Sequence, residues 1–470
     1  MELVIEGNVF HEGNVRRLAV GIEDGRIVRV KKVIKGHRTR DFGERLILPG
    51  AIDAHVHFRE PGMTQKEDFL SGTTAAACGG VTTVLDMPNN RPSTISLSDL
   101  REKASLVRPR ACVDFGLFAG LVPGSRPSSA ATVAIGHKLY MGSTTGDLLV
   151  DDYEAIPGLL AEAGAARSPV AVHAEDEPTI RSLGLQAADT ISYNESRSPR
   201  CESEAVRRFI GALGMARGHV CHISSRRALE LLGRLPPENA QDGPGPHLPA
   251  LAAAEHDKAA KAGAVTCEVT PHHLFLDAKE DRSLGAFGKV NPPLRRTEER
   301  QALWQAFLGG RIDVLASDHA PHLEEEKDAA FADAPAGVPG TETMLPLMMP
   351  LVKQGRLEPR ILVDAVCTNP SRIFGLGGGA IAPGMPAHMA VFELVTATQI
   401  RGKKLRSKCA WSPFEGRQAI FPKAVFLAGE MVVEDWEPVV SPGRGVFLGP
   451  TQTLNNSVPD TAAGEADDRP

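Results

Sequence analysis

The chain has 470 residues, with 52 Lys and Arg against 58 Asp and Glu, for a formal net charge of −6. That length exceeds the roughly 150–200 residues of a typical domain, and an acidic balance without a basic run argues against nucleic acid or an anionic membrane surface as the main partner. Hydrophobic content of 42% and charged content of 23% are ordinary for a globular protein, and no stretch approaches the about 18 consecutive apolar residues that a membrane-spanning helix needs.

In chain order, the first residues lack a basic segment followed by an apolar one, so no secretory signal is expected. Short alternating apolar runs at 2–5, 18–22 and 26–33 are broken by Gly-Asn and Asp-Gly, which are hairpin signals. Residues 1–48 are therefore expected to form a small β unit. From Pro49 the pattern changes to apolar runs that end in polar residues: Ala51–Phe58, Val81–Pro88, Ala111–Phe118, His137–Met141, Pro169–Glu175, Gly218–Ser224, Val265–Pro271 and Ile312–Asp318. Helical connectors fit at 65–79, 96–107, 151–166, 202–216, 225–234, 251–263, 297–309 and 341–355. Repeated βα units over 49–375 predict a (β/α)8 TIM barrel of the α/β class, with its active site at the C-terminal ends of the strands; a doubly wound α/β sheet is the alternative. Residues 235–250 are rich in Pro and Gly and read as a long surface loop. Strand character returns over 376–448, at Ala390–Leu394, Ala424–Leu427 and Met431–Val433, so both chain ends are expected to build one composite β-sandwich. The polar stretch 449–470 reads as a disordered tail.

The seven Cys are an odd number without a C-x-x-C pair, which fits reduced thiols and a cytoplasmic protein. The 15 His are more informative. His55 and His57 lie two apart near the end of the first strand, and a strand's period of two turns both imidazoles to one face. Each alone of Lys138, His173, His222 and Asp318 is better explained structurally. Together they place nitrogen and oxygen donors from five strands at one barrel mouth, a set that suits Zn²⁺ or a related divalent ion. Four His and one Asp are too many for one catalytic ion and too few for a stable pair. A buried lysine whose neutral amine takes up CO2 would supply the missing bridge as a carbamate. Two ions sharing a hydroxide and polarising a carbonyl point to hydrolysis of an amide or cyclic amide.

The stretches Gly50-Ala-Ile-Asp-Ala-His-Val-His-Phe-Arg-Glu-Pro-Gly62, Asp86-Met-Pro-Asn-Asn90, Lys138-Leu-Tyr-Met-Gly142, Val172-His-Ala-Glu175, Cys221-His-Ile-Ser-Ser225, Val290-Asn-Pro-Pro-Leu-Arg295 and Ala316-Ser-Asp-His-Ala-Pro-His322 resemble the dihydroorotases of the amidohydrolase superfamily. The resemblance implies a zinc-dependent ring closure of N-carbamoyl-L-aspartate to L-dihydroorotate, a step of pyrimidine synthesis. It makes His55 and His57 ligands of one Zn²⁺ and His173 and His222 ligands of a second, bridged by carboxylated Lys138. Asp318 would bind the first ion and act as general base. It further implies substrate contacts from Arg59, Asn89, Asn291 and His322, and from the backbone around Ala336 and Gly337. Arg59 offers a planar fork for a carboxylate and separates this reading from two rivals: allantoinases, which usually carry Asn there, and hydantoinases or dihydropyrimidinases, which lack the Arg-Glu-Pro-Gly segment. A noncatalytic scaffold is a remote alternative. Thr144, in the loop after Lys138, is a further candidate ligand contact, without the large aromatic that some relatives carry beside it. His272 and His273 match no ligand position and read as structural. A homo-oligomer or a complex with aspartate carbamoyltransferase is compatible with this reading.

Overall fold

The computed structural model describes residues 1–236 and 265–449. The connector expected at 251–263, the tail from residue 450 and all but the first two residues of the loop expected at 235–250 lie outside the described residues. No helix among the described residues is long and apolar enough to cross a membrane.

The chain opens with β1 (Leu3–His11), β2 (Asn14–Glu23), β3 (Arg26–Lys31) and β4 (Arg38–Pro49). The Asp-Gly signal acts as expected, while the turn near the Gly-Asn signal falls one residue earlier, at Glu12-Gly13. Glu12-Gly13 and Asp24-Gly25 take positive φ at both central positions, the two-residue turn geometry that matches strand twist, and the ladders close as His11↔Asn14 and Glu23↔Arg26. The barrel strands follow as β5 (Ala51–Val56), β6 (Val81–Asp86), β7 (Asp114–Gly120), β8 (Gly136–Tyr140), β9 (Pro169–His173), β10 (Arg217–Val220), β11 (Val265–Val269) and β12 (Val314–Leu315). They pair in parallel in sequence order, and the His57 amide donates to the His319 carbonyl at 2.8 Å to bring the last strand's exit beside the first. β5 to β9 are buried at every residue, which explains their near-continuous apolar runs.

After the barrel come β13 (Met389–Phe392), the short pair β14 (Thr398–Gln399) and β15 (Gln418–Ala419), then β16 (Pro422–Leu427), β17 (Glu430–Glu434) and β18 (Glu437–Pro438). β13 and β16 to β18 join β1 to β4 in one eight-stranded sheet through the antiparallel pairing of β13 with β4. Alternation sorts its two faces. Ile5, Ile47, Val391 and Phe426 form one apolar cluster, while Leu46, Leu48, Phe392 and Val425 join the large core shared with the barrel helices.

Several helices start where a side chain accepts from the first free amides. Asp68 caps the helix Phe69–Cys78 through the Ser71 amide at 2.9 Å, and Ser96 caps Leu97–Val107 through the Asp99 amide at 3.1 Å. The expected connectors at 202–216 and 225–234 are observed as Pro199–Ala212 and Arg226–Leu231. The larger departures from expectation are in the strands. β10 ends at Val220 and β12 at Leu315, so His222 and Asp318 lie beyond their strands. Inside the barrel, Leu85, Phe118, Ala171, Cys221, Val314 and Phe374 form an apolar floor.

Candidate active site

Above that floor the interior turns polar. The cleft at the strand ends is lined by His55, His57, Arg59, Asn89, Lys138, Thr144, His173, His222, Asn291, Asp318, Ala336 and Gly337, together with Tyr140, Thr145 and Ala320. Of the expected site residues only His322 stands behind this wall. Three non-glycine residues among these, Arg59, His222 and Asp318, have positive φ, at 60°, 34° and 46°. Non-glycine residues rarely adopt that region and are held there by their surroundings. For His222 the bend is what brings the imidazole to the cleft. Cys221 already belongs to the apolar floor, and strict alternation would turn the next side chain away from the barrel interior.

One group of donors comes from the first and last strands. The Nε2 atoms of His57 and His55 lie 3.1 and 3.4 Å from Asp318 Oδ1, and the three ligand atoms fall within 4.8 Å of one another. The far nitrogens are fixed. His55 Nδ1 pairs with Glu268 Oε1, and His57 Nδ1 donates to Asn89 Oδ1 at 2.6 Å. Such outer contacts set tautomer and ring orientation in metal sites. Burial and Lys138 disfavour a charged His55, but Glu268 and Asp318 prevail and raise it to about 10. Burial draws His57 down to about 4. Burial also works against the Asp318 carboxylate, but His55 and His57 outweigh it and hold the group well below the usual carboxylate range.

The second group comes from β8, β9 and the exit of β10. His173 Nε2 donates to Glu175 Oε2 at 3.0 Å, which leaves Nδ1 as a lone pair facing His222 Nε2 at 3.1 Å. Burial keeps both imidazoles toward the neutral form, and His222 Nδ1 is a buried atom without a hydrogen-bond partner among the described residues. Lys138 is 1% exposed, and its Nζ contacts Cys221 Sγ at 2.9 Å. Among the described residues no carboxylate stands at ion-pair distance from it. A buried ammonium without counter-charge is costly, whereas a carbamate on the same nitrogen would place negative charge among imidazoles. The donor set thus fits a divalent ion held by imidazole nitrogen and carboxylate oxygen.

On the ligand side, Arg59 is 1% exposed, and burial lowers it to about 10, so it remains a cation at neutral pH. Its Nε donates to the Pro321 carbonyl at 3.2 Å. His322 is boxed in: Lys66 Nζ lies 3.1 Å from its Nδ1, and its Nε2 lies 3.0 Å from the Ala336 carbonyl and 3.2 Å from Arg59 Nη2. With Nδ1 accepting from Lys66, Nε2 donates to Ala336. Asn89 spends its amide nitrogen on the Thr145 carbonyl at 2.9 Å, and Asn291 Oδ1 accepts from the Tyr193 hydroxyl. His273 is tied to Thr270 and the Pro292 carbonyl at 2.8 and 3.0 Å, whereas the neighbouring His272 has no partner for Nε2 among the described residues.

Sequence reasoning passed over the supporting carboxylates. Glu268 holds His55, meets His219 Nε2 at 3.0 Å and accepts from the His222 amide at 3.1 Å. Glu175 holds His173 and is gripped by Arg197 at 2.6 Å. A signal existed for both: each is a carboxylate in or beside an apolar strand run, where an unpaired charge is not tolerated.

A barrel of eight parallel strands whose mouth gathers His, Lys and Asp donors suits a hydrolase of cyclic amides, and the amidohydrolase family profile spans residues 46–432. The chain belongs to the amidohydrolase family. It is 36% identical over 454 residues to a dihydroorotase of Methanosarcina acetivorans, covering 94% of this chain and 93% of that protein. It is also 36% identical over 450 residues to a dihydroorotase of Halobacterium salinarum, covering 94% and 99%. In fold it is similar to the L-hydantoinase of Arthrobacter aurescens, with a TM-score of 0.85, 27% identity, and coverage of 95% of this chain and 99% of that one.

Proposed function

We propose that the chain interconverts N-carbamoyl-L-aspartate and L-dihydroorotate, the ring-closing step of pyrimidine biosynthesis, using two zinc ions. The observation that carries this reading is the meeting of six potential ligands, His55, His57, Lys138, His173, His222 and Asp318, in one cleft with a buried cation, Arg59. His55, His57 and Asp318 would hold one ion, His173 and His222 the other, and carboxylated Lys138 would bridge them. When bound, the pair would lower the pKa of a shared water toward 7 and polarise the scissile carbonyl.

The protein's own groups do the rest. Asp318 takes the proton of the attacking water and returns it to the ring nitrogen as the amide C–N bond breaks. Ring closure runs the same transfers in reverse. Arg59 pairs with the carboxylate of the substrate in a charge-assisted contact. Asn291 and the backbone at Ala336 and Gly337 line the same cleft. Asn89 and His322, which hold His57 and the Ala336 carbonyl in the structure, would assist Arg59 at the substrate carboxylate. A cytoplasmic location goes with this substrate and with seven free cysteines. Self-association, or association with aspartate carbamoyltransferase, which makes carbamoyl aspartate, belongs to the same reading.

The test is a comparison of dihydroorotate, allantoin and hydantoin as substrates for the zinc-loaded protein. Dihydroorotate is expected to be preferred by kcat/KM. A preference for hydantoin or allantoin would overturn the reading.

A further inference from the structure

Two buried lysines outside the ligand set converge on one loop. Lys327, 1% exposed, donates from Nζ to the carbonyls of Lys289, Pro335 and Gly337 at 3.3, 2.9 and 3.0 Å. Lys289, 8% exposed, donates to the carbonyls of Phe331, Ala332 and Ala334 at 2.8, 3.0 and 2.7 Å. The two are linked, because the Lys289 carbonyl accepts both from Lys327 Nζ and from the Gly337 amide, the latter at 2.9 Å. Among the described residues neither ammonium has a carboxylate at ion-pair distance.

This is an expensive way to hold a loop. Each buried amine gives up hydration that an ion pair would normally offset, and a surface loop meets the same need with water. The position of the loop gives the reason. Its residues Ala336 and Gly337 form one wall of the cleft. With the carbonyls of residues 334, 335 and 337 drawn to the lysines and that of Ala336 to His322, the wall is locked at every one of these residues. Gly337 has φ of 138°, and a Cβ there would stand 2.5 Å from the Ala320 carbonyl, so the backbone approaches the strand exit as closely as sterics permit.

We infer that Lys327 and Lys289 are positioning residues that hold the Ala336–Gly337 backbone in register with Arg59, so that an anionic cyclic amide meets a preformed wall. Fixing the wall in advance spares the binding step the cost of ordering it. The inference rests on the proposed reaction, since the substrate identifies the cleft as the place where the wall acts.

The experiment measures steady-state turnover of dihydroorotate by zinc-loaded Lys327→Met, with zinc content and the unfolding midpoint determined on the same preparations. The expected result is a KM raised at least tenfold, kcat within threefold of the unsubstituted protein and two zinc ions retained. If KM is unchanged, or if kcat alone falls in proportion to the folded fraction, the lysine is structural only and the inference is overturned. Should Lys327→Met not fold, Lys289→Met cuts the same loop at its other end and is read in the same way. An unsubstituted protein that does not turn over dihydroorotate refutes the proposed reaction instead, so the two failures are distinguishable.

Discussion

Glu268 offers the most quantitative test of the metal centre, because one carboxylate serves three partners. Its Oε1 takes His55 Nδ1 and the His222 amide, and its Oε2 takes His219 Nε2. In Glu268→Gln the amide oxygen keeps the Oε1 position, where two donors converge, and the NH2 turns to His219. That ring can accommodate it by switching tautomer, since the Thr266 hydroxyl, 2.8 Å from His219 Nδ1, can accept as well as donate. No partner is orphaned, and the loss is that of charge assistance. Hydrogen bonds to a charged group contribute about 1.5–3 kcal/mol against about 0.5–1.5 for neutral ones, so His55 loses about 1–1.5 kcal/mol of support. At about 1.4 kcal/mol per decade, zinc should bind roughly tenfold more weakly. Glu268→Ala removes all three contacts and should cost about a hundredfold, near the upper end for outer contacts of a metal ligand. Competition of the apoprotein with a chromophoric chelator measures both, with far-UV circular dichroism as the check on folding. Unchanged affinity in both variants would refute the role of Glu268, and equal losses would refute the tautomer argument.

Arg59→Met should raise KM for dihydroorotate about ten- to a hundredfold, the worth of about 1.5–3 kcal/mol from a charge-assisted contact, and a steady-state KM near that of the unsubstituted protein would rule the contact out. Asp318→Asn should lower kcat by about 10²- to 10⁴-fold or more, the range for a lost acid–base group, with circular dichroism unchanged; near-normal turnover would defeat the proton-transfer role. Lys138→Ala should lower the zinc content measured by elemental analysis, with partial recovery of activity in short carboxylic acids, and full metal and activity without them would exclude a carbamate bridge. All seven cysteines are free and buried, and burial raises Cys267 to about 12 and Cys409 to about 11. A thiol reagent at pH 8 should therefore find no fast-reacting site in the native protein and seven after denaturation; a fast site in the native state would contradict this burial.

The barrel was legible because its strands are buried on both faces and so read as separate apolar runs, and His55, Lys138 and His173 were legible as polar interruptions within them. What local sequence could not convey is which groups the closed ring brings together. Glu268 is 213 residues from the histidine it holds, and nothing in Val265-Thr-Cys-Glu-Val269 announces that partner. Strand ends were also overextended. The runs around His222 and Asp318 look like continuous strand, yet the chain leaves the ladder at Val220 and Leu315 and turns through positive φ. His322 is marked as a ligand contact by its motif, and in the structure its two nitrogens meet Lys66 and the Ala336 carbonyl beside Arg59.

The seam of the barrel has a consequence for how the protein holds together. His57 and Asp318 meet across 261 residues of chain, at the place where the first strand adjoins the exit of the last. An ion bound there ties the two ends of the ring directly, a crosslink over a long loop of the kind that removes most freedom from an unfolded chain. The ion would then act as a clasp as well as a reagent. Its removal should loosen first the β5–β12 edge, and refolding should gain metal affinity only late, once the last strand has come round to the first.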